Sequence, residues 1–215
     1  MSSSPIGKYR DTNRYPSRGW NAYHVVYQDA QRWLKEGIHD ALFPMMYFQG
    51  NNFYPFALDW KENDGKRWII PGLGIYFLSP REQDWPLDEI VRQIHFTRQI
   101  KLNGQAYFRN RFLLDNTKGV LDELEENFYT YPALIPPMTW SDSIPPSVPS
   151  HPSVQQIANG KLRMSWQASA DNSNQSVVYH LYGSDTYPVD IKQPQNLIAT
   201  HLIANEYEYL SLIHI

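Results

Sequence analysis

The sequence predicts two unlike pieces: an α/β region holding half of a (β/α)₈ barrel, then part of an all-β sandwich. Three observations carry this expectation. Short apolar runs alternate with helical patterns over residues 1–140. A Pro/Ser-rich stretch, 141–152 (SDSIPPSVPSHP), then interrupts the pattern and reads as an interdomain linker. Beyond it the period changes to strict alternation, with Leu162, Met164 and Trp166 on one face.

In the first region, residues 41–48 (ALFPMMYF) read as a buried strand. So do residues 68–78 (WIIPGLGIYFL), with Pro71 and Gly72 near the start, and residues 104–113 (GQAYFRNRFL). Each is short for a helix and rich in aromatic or branched side chains. Residues 26–36 (VYQDAQRWLKE) read as a helix ending at Gly37, a residue suited to the left-handed turn that closes helices. Residues 86–101 place Pro86 in the first turn, then Ile90, Val91, Ile94 and Ile100 at helical spacing. Residues 118–128 put Val120, Leu121, Leu124 and Phe128 on one face, and residues 53–62 carry a weaker helical pattern. Strand–helix alternation implies a parallel sheet with right-handed crossovers, and near-continuous apolar strands fit burial on both faces. A barrel and a doubly wound open sheet both satisfy this. The three to four β/α units make half of a barrel and are too few for most open sheets. No glycine-rich phosphate loop follows a strand, which disfavours a nucleotide-binding sheet.

In the second region, residues 161–168 (KLRMSWQA) and 177–184 (VVYHLYGS) alternate as strands joined by the polar loop 169–175, and residues 197–209 suggest one or two more. A fibronectin- or immunoglobulin-type sandwich needs about seven strands, so residues 153–209 read as a partial one. Residues 210–215 (LSLIHI) read either as a non-native end or as an ordinary truncated strand.

Composition narrows the partners. The net charge of −3 gives no basic footprint for nucleic acid. No apolar run approaches the roughly 20 residues that span a bilayer. The chain has no cysteine, which excludes a disulfide scaffold and thiolate metal ligation. Its histidines are scattered, so neither a metal site nor a cofactor is expected. The first residues, MSSSPIGKYRD, lack the apolar core of a secretory leader. Aromatic residues make up 14%, including seven Trp and fifteen Tyr. They serve either core packing or the stacking of sugar rings, whose C–H faces suit flat aromatic surfaces.

Several segments together resemble the glycosyl hydrolase-like family 10, also called the DUF187 or YngK-like family. They are 4–11 (SPIGKYRD), 26–48 (VYQDAQRWLKEGIHDALFPMMYF), 56–60 (FALDW), 72–78 (GLGIYFL) and 131–140 (YPALIPPMTW). In that family a Ser-Pro-x-Gly strand end precedes a Gln-Asp-x-x-x-Trp helix and a strand carrying Pro-x-x-Tyr. Here these are Ser4 to Gly7, Gln28-Asp29 with Trp33, and Pro44 to Tyr47. The family more often has Pro-Gln-x-Tyr, and the form seen here resembles a subgroup typical of Bacteroidetes. The resemblance covers about residues 3–140. It implies that this region is the C-terminal half of a (β/α)₈ barrel, with an appended fibronectin type III-like module. It also implies hydrolysis of glycosidic bonds in a polysaccharide or peptidoglycan glycan, no cofactor, and a periplasmic, cell-surface or secreted location. The family's Asp-Asp-Tyr motif has no counterpart in this chain. It is expected upstream of Met1, so the chain alone is expected to be inactive.

Glycoside hydrolysis usually needs two carboxylates about 5–10 Å apart, placed in a barrel at C-terminal strand ends. The strand ends here offer Ser4, Gly7, Tyr47, Gln49, Tyr76, Ser79, and Arg109 or Asn110, with no Asp or Glu among them. Asp11, Asp29, Asp84 and Asp115 lie in following loops or helix starts. By the resemblance Asp29 is the catalytic candidate; it either orients substrate or stabilises the start of its helix. Asp59, beside Trp60, reads as structural. Tyr47, Gln49, Tyr76 and Arg109 are the expected substrate contacts, with barrel packing as the other reading for the two tyrosines. A non-catalytic carbohydrate-binding or adhesion protein is the alternative function, and a flavodoxin-like binding domain a more distant one.

Overall fold

The computed structural model describes residues 1–17, 19–173 and 176–210, with only the backbone of Asn159 and Leu210. The chain divides into two compact units, Met1–Thr130 and Tyr131–Ile215. Residues 131–140, expected to close the α/β region, therefore fall in the second unit.

The first unit is built on parallel pairing. Strands β1 (Ser2–Ser3), β2 (Ala41–Leu42) and β3 (Trp68–Ile69) lie side by side in sequence order. Strand β4 (Gly72–Leu73) pairs in parallel with β5 (Ala106–Tyr107). Isolated parallel bridges, Ile6 to Met45 and Met45 to Gly72, continue the same registers toward the C-terminal ends.

The strands expected over residues 41–48 and 68–78 appear as short pieces because each contains a proline, and a third proline, Pro5, follows β1. Pro5, Pro44 and Pro71 are all buried, and none can donate to a ladder. Each still accepts from the next strand: Met45 N–H donates to Pro5 at 2.9 Å, Gly72 to Pro44 at 2.8 Å, and Ala106 to Pro71 at 3.0 Å. Past these points the backbone turns. Residues Ile75–Leu78 form a 3₁₀ turn rather than the end of a strand, and Arg111–Leu114 form helix α5 where the third run was expected to stay extended.

Helices cover the sheet. Helix α1 (Ala22–Val25) starts at Asn21, whose side chain accepts the His24 N–H at 2.8 Å. Helix α2 is shorter than expected, Ala30–Lys35, with Asp29 at its N-cap position. It closes as the sequence suggested: Gly37 has φ 73°, its N–H donates to Leu34, and Ile38 N–H reaches back to Trp33. Helix α3 (Tyr54–Glu62) buries Phe56, Ala57 and Trp60. Helix α4 (Leu87–Gln99) carries Asp88 and Glu89 in its first turn and Arg98 in its last, each complementing the helix dipole. It buries Ile90, Gln93, Ile94 and Thr97 on one stripe. The last expected helix is broken into a 3₁₀ turn Thr117–Gly119, helix α6 (Val120–Glu123) and a π-helical turn Leu124–Phe128. It still buries Val120, Leu124 and Phe128. Leu42, Met46, Ile69 and Leu73 from the sheet meet Leu34, Phe53, Phe56, Trp60, Ile90 and Ile94 in one core. Burying each such side chain contributes roughly 1.5–3 kcal/mol before entropy is counted.

The second unit is antiparallel. Strand β6 (Ser150–Gln156), β7 (Lys161–Gln167) and β10 (Glu206–Leu210) form a sheet in the order β10-β7-β6. Strand β8 (Tyr179–Tyr182) pairs with β9 (Leu197–Leu202). Strand β6 takes up the end of the stretch read as a linker. Trp166 of β7 meets Tyr179 of β8 edge-on at 5.3 Å. Of the expected tail, Leu210 ends β10, and 211–215 lie outside the described residues. No helix among the described residues is long and apolar enough to cross a membrane.

Candidate glycan-binding rim at the strand ends

Parallel strands deliver three aromatic rings to one edge of the sheet. Tyr47 follows the Met45 bridge, Tyr76 lies in the 3₁₀ turn after β4, and Phe108 follows β5. Tyr47 and Phe108 are stacked, with centroids 5.2 Å apart and planes at 16°. Tyr76 stands edge-on to both, at 5.8 Å from Tyr47 and 5.6 Å from Phe108. The arrangement is fixed by backbone as well as by packing: Tyr76 N–H donates to the Phe108 carbonyl at 3.2 Å. Two glycines leave the space Tyr47 needs. A Cβ on Gly72 would lie 3.2 Å from the Tyr47 ring, and one on Gly74 would lie 3.2 Å from Tyr47 Cβ. Phe108 is 46% exposed, the most exposed of the three.

Charged groups flank this cluster. A cleft of about 390 Å³ is lined by Ser79, Arg81, Glu82, Arg109, Phe112 and Asp115, among others. The Arg109 guanidinium lies over the Phe112 ring at 5.5 Å and stands 3.7 Å from Glu82. Burial raises the Tyr76 hydroxyl above its ordinary range; Glu82 adds to the rise and Arg109 opposes it. Burial likewise raises Tyr47, with Tyr76 adding to it. Both phenols are therefore neutral near pH 7, able to donate a hydrogen bond and to accept one.

Tyr47, Tyr76 and Arg109 thus come together, joined by Phe108 and Glu82, which the sequence reading did not single out. Phe108 was one residue from a named candidate. Glu82 lies in the loop after the 3₁₀ turn, two residues before Asp84. Gln49 is exposed and precedes the 3₁₀ turn Gly50–Asn52.

Asp29 sits elsewhere. It accepts the Tyr9 hydroxyl hydrogen at 2.5 Å, and Arg10 donates to the same hydroxyl at 3.1 Å. Burial and this bond to Asp29 push the Tyr9 phenol up to about 12. Asp29 lines a groove with Gln31, Lys35, Glu62 and Asn63, on the flank of α2 and α3. Its bond ties the loop after β1 to the start of α2.

Asp84, Asp115 and Asp59 are also engaged. Asp84 accepts from Lys118 at 2.6 Å and Asp115 from Arg111 at 3.2 Å. Asp59 accepts from Gln31 at 2.9 Å, and burial raises its carboxyl above the ordinary range. Lys8, at the end of the first strand, is buried over the Phe48 and Phe56 rings and donates to Ser17; burial lowers its amine, while Asp11 opposes the shift. Among the described residues no three His, Asp or Glu side chains are grouped to hold a metal ion.

No family model matches the chain. It is 28% identical over 219 residues to the protein named Glycosyl hydrolase YngK of Bacillus subtilis (strain 168), an alignment covering 95% of this chain. The chain spans 42% of that relative's length. At this coverage the similarity takes in residues of both compact units, and it supports a glycosyl hydrolase-like relationship for the chain.

Proposed function

We propose that this chain forms the glycan-facing rim of a glycoside hydrolase that acts on a polysaccharide or peptidoglycan glycan. The observation that carries the reading is the Tyr47–Tyr76–Phe108 cluster, gathered at the ends of parallel strands in a chain similar to a glycosyl hydrolase. The first unit is then the C-terminal half of a (β/α)₈ barrel. Its sequential strand order supports this, since doubly wound sheets reverse order at a switch point. The second unit is then part of a fibronectin type III-like sandwich. The hydrolytic carboxylates would come from the portion of the protein that corresponds to the unmatched length of the relative.

A second reading is a non-catalytic carbohydrate-binding or cell-surface adhesion protein. It is favoured by Asp115 of the cleft, which Arg111 already holds. Reducing-end release from peptidoglycan strands and β-glucans, by the protein that carries this chain, separates the two. The hydrolase reading expects turnover that requires the Phe108 ring. Binding with no turnover on either polymer would leave the adhesion reading in its place.

A further inference from the structure

We propose that Glu82 and Arg109 grip two adjacent hydroxyls of a pyranose whose C–H face lies on Phe108. This rests on the glycan reading of the rim and assigns Glu82 a role in it.

The geometry of the ion pair is the reason. At 3.7 Å, Arg109 and Glu82 attract each other but are too far apart to hydrogen-bond. Neighbouring pairs are closed, Lys118 to Asp84 at 2.6 Å and Arg111 to Asp115 at 3.2 Å. Glu82 and Arg109 therefore keep hydrogen-bonding capacity that the other two pairs have spent on each other. Both side chains are partly exposed, and both line the same cleft.

Each group is also held in place. Arg109 lies on the Phe112 ring, and its backbone follows directly on Phe108. The Glu82 N–H donates to the Ser79 carbonyl at 3.0 Å, which fixes the loop to the turn that carries Tyr76. Glu82 and Arg109 also shift the Tyr76 hydroxyl in opposite directions.

The chemistry matches a diol. A carboxylate only accepts and a guanidinium only donates. Two adjacent hydroxyls offer a hydrogen to the first and an oxygen lone pair to the second. A ring of such hydroxyls also has an apolar face, which Phe108 can cover. The ligand class is thus a neutral pyranoside with vicinal equatorial hydroxyls.

Isothermal titration of the chain with cellohexaose, whose ring units carry adjacent 2- and 3-hydroxyls, tests this. Glu82→Gln keeps the shape and removes the charge; it should weaken binding about tenfold or more, the range for a hydrogen bond to a charged group. Arg109→Lys should weaken it similarly, because an ammonium lacks the guanidinium fork. Glu36→Gln, on the far flank of α2, should bind as the unaltered chain does. Thermal transitions of the variants establish folding, and Arg109→Lys alone decides the matter should Glu82→Gln not fold. If folded Glu82→Gln and Arg109→Lys bind normally while Phe108→Ala does not, the clamp is wrong and the rim reading stands. If cellohexaose does not bind the unaltered chain, or Phe108→Ala changes nothing, the rim reading fails and the clamp fails with it.

Discussion

The indole N–H of Trp60 donates to the Gly7 carbonyl at 2.6 Å. This bond joins the last turn of α3 to the segment after β1, and both residues are buried. Trp60→Phe leaves that carbonyl without its donor and should cost about 1–3 kcal/mol. Trp60→Ala adds a cavity and should cost about 3–5 kcal/mol. Chemical denaturation, comparing midpoints at constant slope, measures both.

Gly7 is equally constrained on its other side. An added Cβ would lie 2.4 Å from the Met45 carbonyl oxygen and 2.8 Å from the Phe48 ring. Backbone cannot yield as a flexible side chain can, so Gly7→Ala should destabilise by about 1–3 kcal/mol or more. A thermal midpoint equal to that of the unaltered chain would show that the strand can shift aside.

The parallel α/β pattern was legible because hydrophobic period and helix punctuation agree with the fold. Gly37 closes α2, and α4 buries the stripe its spacing indicates. Strand length was not legible. Pro44 and Pro71 remove ladder donors in the midst of apolar runs, and an apolar run does not reveal where pairing stops. The site was half legible: Tyr47, Tyr76 and Arg109 sit together, while Glu82 enters through a loop whose path no periodicity encodes. Asp29 drew notice through the resemblance, but its hydroxyl partner, Tyr9, lies twenty residues away in sequence.

Asp59 provides a pH signature. Burial raises its carboxyl, so the folded state holds the proton more tightly than the unfolded chain does. Its favourable contribution is fully present below the ordinary carboxylate range and is lost as pH rises through the raised value. Asp59→Asn keeps an acceptor for Gln31 and removes the buried charge. It should be more stable than the unaltered chain at about pH 7, with the difference closing toward about pH 3. Denaturation midpoints at both pH values give the comparison.

Among the described residues, β1 pairs only with β2 and β5 only with β4, so each presents an unpaired edge. Such edges recruit further strands. Sedimentation velocity should show association that grows with concentration, whereas a monomer at all concentrations would mean that these edges are too short to recruit.

Saturation-transfer NMR of cellohexaose against the 215-residue chain tests the central claim, that the strand-end aromatic rim binds glycan. The account predicts saturation of the sugar ring protons by the unaltered chain, lost in Phe108→Ala with the thermal transition unchanged. Equal saturation in both proteins, or none in either, would contradict it.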